Sequence, residues 1–271
     1  MPLLPHLLPP PSPHAPTSEG APAPALHILW RDEHLIAVYK PAGWLVHRTG
    51  LDAHETRFVM QTLRDQIGQR VFPVHRLDKG TCGVLVMALH ADAARALGQA
   101  FETQQTHKRY LALVRGWLPA ALTVDHALKP DDAPDHAPAQ PAQTGLRCLA
   151  RLEWPEAYDS RHAGTRVSLV QALPVTGRRH QIRRHLKHVA HPIIGDATHG
   201  KGPLNRWWAE RLGLQRLWLH AQALELPHPV SGERLRIETD WAALRDQVAE
   251  ARDWQALLAL PGWVGPGGGP W

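Results

Sequence analysis

Only two cysteines, Cys82 and Cys148, occur in the 271 residues, and neither belongs to a Cys-x-x-Cys pair. That count excludes a disulfide framework and a cysteine-based zinc site, and it points to a reducing, cytoplasmic setting. Apolar runs of about 18 residues are missing as well, so no helix is expected to span a membrane. The opening stretch has no basic n-region of the secretory kind, and 9 of its first 24 residues are proline; residues 1–25 are therefore expected to form a disordered arm. A strong charge of either sign is also lacking. Against 25 acidic residues stand 30 Lys and Arg, a surplus of +5 that leans modestly toward polyanionic partners. Of the 19 histidines, His180, His185, His188 and His191 are the most clustered. They match neither HExxH nor a finger and have no Cys or carboxylate beside them, so no metal is expected. No internal repeat is visible, and a hydrophobic content of 44% is enough for a real core.

Strand and helix patterns interleave along the chain. "LHILWRDEHLIAVYK" gives two short apolar runs around a charged turn, which predicts a hairpin, and Pro41 and Gly43 break its second strand. Val59, Leu63, Gln66 and Ile67 recur at helical spacing before Gly68. Ala94, Leu97 and Phe101 share a second helical face, and "RYLALVRGW" returns to strand character. Residues 129–145, with four prolines and no aliphatic side chain larger than alanine, predict a loop or flap. "RVSLVQALP" predicts a strand. "GRRHQIRRHLKHV" predicts a helix from Arg178 with Thr176 as its N-cap, and residues 216–240 predict two more strands about a Pro-rich turn. The tail "PGWVGPGGGPW" is too rich in Gly and Pro to be expected to pack. Trp207 and Trp208 are expected to cap a core.

Three features carry candidate chemistry. "VHRLDKGTCG" sets Asp78 between Arg76 and Lys79. A free aspartate is already ionised at neutral pH, so cations beside one matter where burial would otherwise neutralise it. Such a charged, poorly hydrated carboxylate makes a nucleophile or base, whereas a general acid would need an isolated protonated carboxyl. The alternative is a structural ion pair. The segment 178–188 holds five Lys or Arg and no acid. At 100° per residue, Ile182, Leu186 and Val189 form its apolar seam, with Arg179, Arg183 and Lys187 alongside. Arg183 then sits at the edge of the core, able to reach a carboxylate, and Arg184 faces water. Tyr110 follows Lys108 and Arg109 at a helix-to-strand junction, either as a core ring with its hydroxyl at the rim or as a stacking surface for an extruded base.

These motifs resemble, in order, those of the RluA family of RNA pseudouridine synthases. "HRLDKGTCG" is similar to the family's catalytic motif, "KPAGWLVH" to its first motif, and "HKRYLALVRG" to its tyrosine motif. "PVTGRRHQIRRHL", "HPIIGDATHG" and "RLWLHA" are similar to the remaining ones. Within the family, "GWLVHR", "VMQTLRDQIGQRVF" and "HPIIGDATHG" look most like the branch that acts on uridine 65 of tRNA. The resemblance implies an α+β catalytic domain over 26–240, built on a long mixed, mostly antiparallel sheet flanked by helices and loops, with residues 241–271 adding a helix and tail. It implies a cofactor-free, monomeric isomerase that detaches uracil, rotates it and rejoins it through C5. Asp78 matches the catalytic aspartate, Tyr110 the residue packed on the target base, and Arg183 the basic partner of the aspartate. Arg76 matches the arginine that enters the RNA stack as the uridine flips out. Lys108, Arg109, Arg178, Arg179 and Lys187 are the basic residues expected to hold RNA, and tRNA is the expected partner. The chain departs from the pattern at Ala42 and Cys82, where Ser is common, and at His199, where Tyr is common.

Three rivals remain open at this stage. A ribosomal RNA enzyme of the same family differs only in substrate. A non-catalytic RNA-binding module would make Asp78 structural. A nucleotide or sugar hydrolase would need a second carboxylate, for which Asp196 is the candidate.

Overall fold

A computed structural model describes residues 25–47, 56–131, 133–134, 136–160 and 163–271. The Pro-rich arm expected over 1–25 lies outside these residues, apart from its last position. In chain order the first elements are β1 (Ile28–Arg31), β2 (Leu35–Lys40), α1 (Val59–Ile67), β3 (Phe72–Pro73), β4 (Cys82–Ala88), α2 (Ala91–Glu102), β5 (His107–Arg115) and β6 (Ala121–Asp125). There follow β7 (Gln143–Trp154), β8 (Thr165–Pro174), α3 (Gln181–His188), α4 (Gly202–Leu212), β9 (Leu219–Pro227), β10 (Arg234–Glu238), α5 (Trp241–Leu244) and α6 (Ala249–Leu258). The class is α+β, as expected. Among the described residues the chain divides into two compact units, one of 25–108 with 220–254 and the other of 109–219 with 255–271.

In the first unit, β4 pairs antiparallel with β2 on one edge and parallel with β9 on the other. The β1 strand flanks β2, β10 flanks β9, and β3 joins the end of β4, all antiparallel. Strands β2 and β4 are buried at every position, which is why they read as continuous apolar runs and not as alternating ones. Helix α2 lays Ala93 and Leu97 on a cluster that includes Leu35, Ala37, Val84, Val86, Leu224 and Ile237. Ala94 and Phe101, the residues expected beside Leu97, pack at the rim of that cluster. Truncating the fully buried Leu97 to Ala would cost about 2–5 kcal/mol. Gly83 has a φ of +115°, and a Cβ there would lie 2.2 Å from the Ala221 carbonyl oxygen. The parallel approach of β9 to the start of β4 therefore requires glycine at this position.

The second unit orders its strands β5-β8-β7-β6, with β5 contributing from Arg109 onward, and every pair is antiparallel. Burial alternates along most of β7, the mark of a strand with one face on the core. Neither β6, β7 nor α4 was assigned from the sequence pattern, because Gly145, the charges at Arg147, Arg151 and Glu153, and the paired tryptophans of α4 blur both periods.

Two expectations about the elements of this unit need correction. The tail packs: the Trp263 indole is 8% exposed and donates to the Leu257 carbonyl at 3.0 Å, and Val264 and Arg151 exchange backbone hydrogen bonds of 2.7 and 2.9 Å. One buried indole and a two-bond ladder outweigh the local Gly and Pro content. The basic helix starts at Gln181, not Arg178, and Thr176 is not its cap. The Gln181 side chain reaches back instead, its Oε1 accepting from the Thr176 hydroxyl at 2.7 Å and the Arg178 amide at 2.9 Å. Its Nε2 donates to the Gln143 carbonyl and the Thr144 hydroxyl. Residues 176–180 are thereby folded as a turn around a glutamine, with His180 in the left-handed region at φ 54°.

Candidate active site

In the first unit the chain is braced around Asp78. Lys40, the last residue of β2, is fully buried, and its ammonium donates to the carbonyls of Pro41 at 3.0 Å, Lys79 at 3.1 Å and Thr81 at 2.7 Å. The Gly43 amide donates to Lys79 O at 2.8 Å, and the Thr81 amide closes the turn onto Asp78 O at 3.0 Å. The "KPAG" stretch and the "DKGT" turn are thus tied through backbone carbonyls. Leu77 is buried under the turn, Asp78 is half-buried, and Arg76 and Lys79 are exposed.

His75 fixes the entry to the same turn. Its Nε2 accepts the Val86 amide at 2.9 Å and its ring stacks on Phe101 at 4.8 Å. An accepting Nε2 leaves the proton on Nδ1, so the ring is neutral. Burial pushes His75 down to about 3, and the charge of Lys108 adds to the effect. Lys108 is itself pushed down to about 8 by burial.

Beyond the turn, Cys82 Sγ lies 3.4 Å from His220 Nδ1. His220 Nε2 accepts from the Trp241 indole at 3.1 Å and lies 2.8 Å from the Thr239 hydroxyl. An accepting Nε2 places the His220 proton on Nδ1, facing the sulfur. The Ala42 amide donates to Glu250 Oε1 at 2.7 Å. The two departures at Ala42 and Cys82 therefore fall on the braces of the turn.

The second unit gathers the other candidates. Arg183, 8% exposed, donates from Nε at 2.7 Å and from Nη2 at 2.8 Å to the two oxygens of Asp196. Asp196, 1% exposed, also accepts the amides of Thr198 at 2.9 Å and His199 at 2.8 Å. Burial alone would raise Asp196, but the Arg183 hydrogen bond and the two amides hold it below the ordinary carboxylate value. Its lone pairs are committed to a fork and a turn, which makes it an anchor and a poor candidate for the second acid of a hydrolase. Gly195, at φ +79°, brings its backbone against Arg216 O, where a Cβ would collide. Asn205 pins both sides, accepting the Gly195 amide and donating to Asp196 O, each at 2.9 Å.

Tyr110 stands within β5, opposite Ala172, not at a helix-to-strand junction, because the strand begins at His107. Tyr110 and Arg109 are half-buried, while Arg178, Arg179 and Lys187 are exposed. Arg184 was expected in water and is not: it donates to Lys129 O at 2.7 Å and pairs with Asp131 at 3.3 Å. Arg179 at 3.4 Å and His180 at 3.2 Å meet the same Asp131 carboxylate, and Arg178 donates to Pro141 O. The basic face therefore holds both ends of the predicted loop.

Arg76 and Asp78 share one unit, and Tyr110 and Arg183 share the other. The sequence reading overlooked Lys40, His75, His220 and Asp131. Lys40 left one signal, a charge at the end of an otherwise apolar buried strand. Asp131 left none, because its partners lie about 50 residues away.

Residues 34–188 match the profile of a protein family described as RNA pseudouridylate synthase. Over 252 residues the chain is 48% identical to tRNA pseudouridine synthase C of Yersinia pestis, covering 89% of this chain and 92% of that protein. It is 47% identical over 245 residues to the protein of that name from Vibrio cholerae, covering 88% and 96%. Among solved structures, human RNA pseudouridylate synthase domain containing 1 superposes with a TM-score of 0.62 at 26% identity, covering 88% of this chain and 96% of that one.

Proposed function

We propose, from the premise that this chain belongs to the RNA pseudouridylate synthase family, that its substrate is tRNA and its target uridine 65. The reaction is an isomerisation: the N1–C1′ bond breaks, uracil turns within the site, a C5–C1′ bond forms, and the C5 proton is replaced by one on N1. Nothing is oxidised or reduced. Cleaving the glycosidic bond develops positive charge on the sugar, which a nearby carboxylate stabilises or traps. Asp78 is that carboxylate. Its turn is braced from both sides, and this observation carries the reading: Lys40, Gly43 and His75 fix the backbone around it.

In this reading Tyr110 packs on the target base and Arg183 supplies the basic group of the reaction. Holding Arg183 by its fork with Asp196 orients the guanidinium before substrate arrives. Arg76, exposed two residues from Asp78, fills the place left by the flipped uridine, which offsets unstacking of a few kcal/mol. Lys108, Arg109, Arg178, Arg179 and Lys187 contact phosphates. We place the enzyme in the cytoplasm, as a monomer. The hydrolase rival loses its second carboxylate, because Asp196 is already ion-paired.

Pseudouridine mapping in a strain lacking the gene tests the assignment. The expected result is loss of one tRNA pseudouridine at position 65, restored by the wild-type gene and not by Asp78→Asn. An unchanged tRNA profile with a missing ribosomal pseudouridine would transfer the assignment to ribosomal RNA.

A further inference from the structure

The second unit contains a cleft of about 400 Å³, lined by Arg115, Trp117, Tyr158, Asp159, Arg166 and His191 among others. None of these residues has a part in the reaction described above. Trp117 is 38% exposed. It follows Gly116, whose φ of +75° turns the chain and whose amide donates to Arg166 O at 2.7 Å. The Ser168 hydroxyl locks the turn, donating to Gly116 O at 2.9 Å and accepting the Leu118 amide at 3.0 Å. The indole is thereby delivered onto β8, where the Arg166 guanidinium lies 4.1 Å from its centroid. Arg166 is steadied from its other side by Glu153 at 3.2 Å, its register partner on β7.

An indole and a guanidinium stacked on each other form a flat, cationic platform, the kind of surface on which an unpaired base stacks. The cleft walls add hydrogen-bonding groups. His191 donates from Nδ1 to Arg115 O at 2.7 Å, so its Nε2 is an acceptor when the ring is neutral. An acceptor nitrogen suits the exocyclic amine of a base, while Arg115 suits a phosphate. Cations, acceptors and aromatic faces together fit a whole nucleotide better than a bare anion. Arg115, at the end of β5, lies five positions beyond Tyr110, roughly 17 Å along an extended strand.

We infer that this cleft binds an unpaired nucleotide of the substrate RNA outside the target stem, as a second contact that selects the whole folded RNA over an isolated stem-loop. The inference rests on the RNA-modifying reading above. The test compares an unmodified tRNA transcript with a stem-loop carrying the same target uridine, using wild type, Trp117→Ala, Arg166→Ala and Trp117→Tyr. The Ala variants should bind the transcript about 5- to 100-fold more weakly. Their kcat and their KM on the stem-loop should remain at wild-type values, and Trp117→Tyr should keep most of the affinity. Wild-type transcript affinity in both Ala variants would overturn the inference, and so would equal losses on both RNAs. If instead the wild-type protein modified neither RNA, the function reading would fail, and the binding comparison would still decide the cleft.

Discussion

Lys40 sends its ammonium hydrogens to three carbonyls around the Asp78 turn, and a methionine in its place would take this donor from the Pro41 and Thr81 carbonyls and leave Lys79 O with the Gly43 amide. At about 1–3 kcal/mol for each orphaned group, partly relieved by relaxation, Lys40→Met should lower stability by roughly 2–4 kcal/mol. Turnover should fall at least tenfold, because the carboxylate loses its fixed position. Denaturant melts and initial rates measure the two effects. His75 supplies a pH signature. Its folded value of about 3 lies below the ordinary 6.5, so between those limits the unfolded chain binds a proton that the native one refuses. Stability should therefore be intact above about pH 6.5 and decline as pH falls toward 3, by up to about 1.4 kcal/mol per pH unit from this residue. Lys108, also a base depressed by burial, gives the same sign of slope in a higher pH window. Its folded value of about 8 lies below 10.5, so stability should rise as pH climbs from 8 toward 10.5. Chemical melts across pH, repeated on His75→Gln, should show the acid slope flattened in the variant.

At the scale of elements, α3 and the loop before β7 work as a pair. Asp131 meets Arg179, His180 and Arg184, and the proposed function assigns Arg179 to phosphate. These pairs are partly exposed, and each is worth at most about 1 kcal/mol. Asp131→Asn should therefore cost little in stability while speeding proteolysis of the 129–142 loop and tightening RNA binding about two- to fivefold at fixed salt. Weaker binding in that variant would count against the basic face as an RNA contact. The same element shows where sequence reading ended. The apolar seam of Ile182 and Leu186 was legible from its 3.6-residue period, and both residues are buried. The start of the helix was not, because it depends on Gln181 bonding back to Thr176 and Arg178. The solvated place expected for Arg184 also failed, since its partner, Asp131, comes from a distant loop.

For the whole molecule, the order of strands and helices could be read wherever one period dominated, as in the first hairpin, α1, α2, β5, β8 and the β9–β10 pair. The chemistry was legible for a different reason: six motifs in a fixed order point to one reaction, and the family comparison bears that out. What escaped the sequence were supports made by long-range contacts. Lys40 bonds to residues about 40 positions away, and the packing of Trp263 contradicts its Gly-rich surroundings. The Lys40 bonds serve one arrangement, a half-buried carboxylate held on a braced turn. The most direct measurement is single-turnover pseudouridine formation by Asp78→Asn on unmodified tRNA, with binding followed in parallel. The account predicts a rate at least about a thousandfold below wild type, with Kd within about threefold. A variant that converts uridine at a rate close to wild type would contradict it.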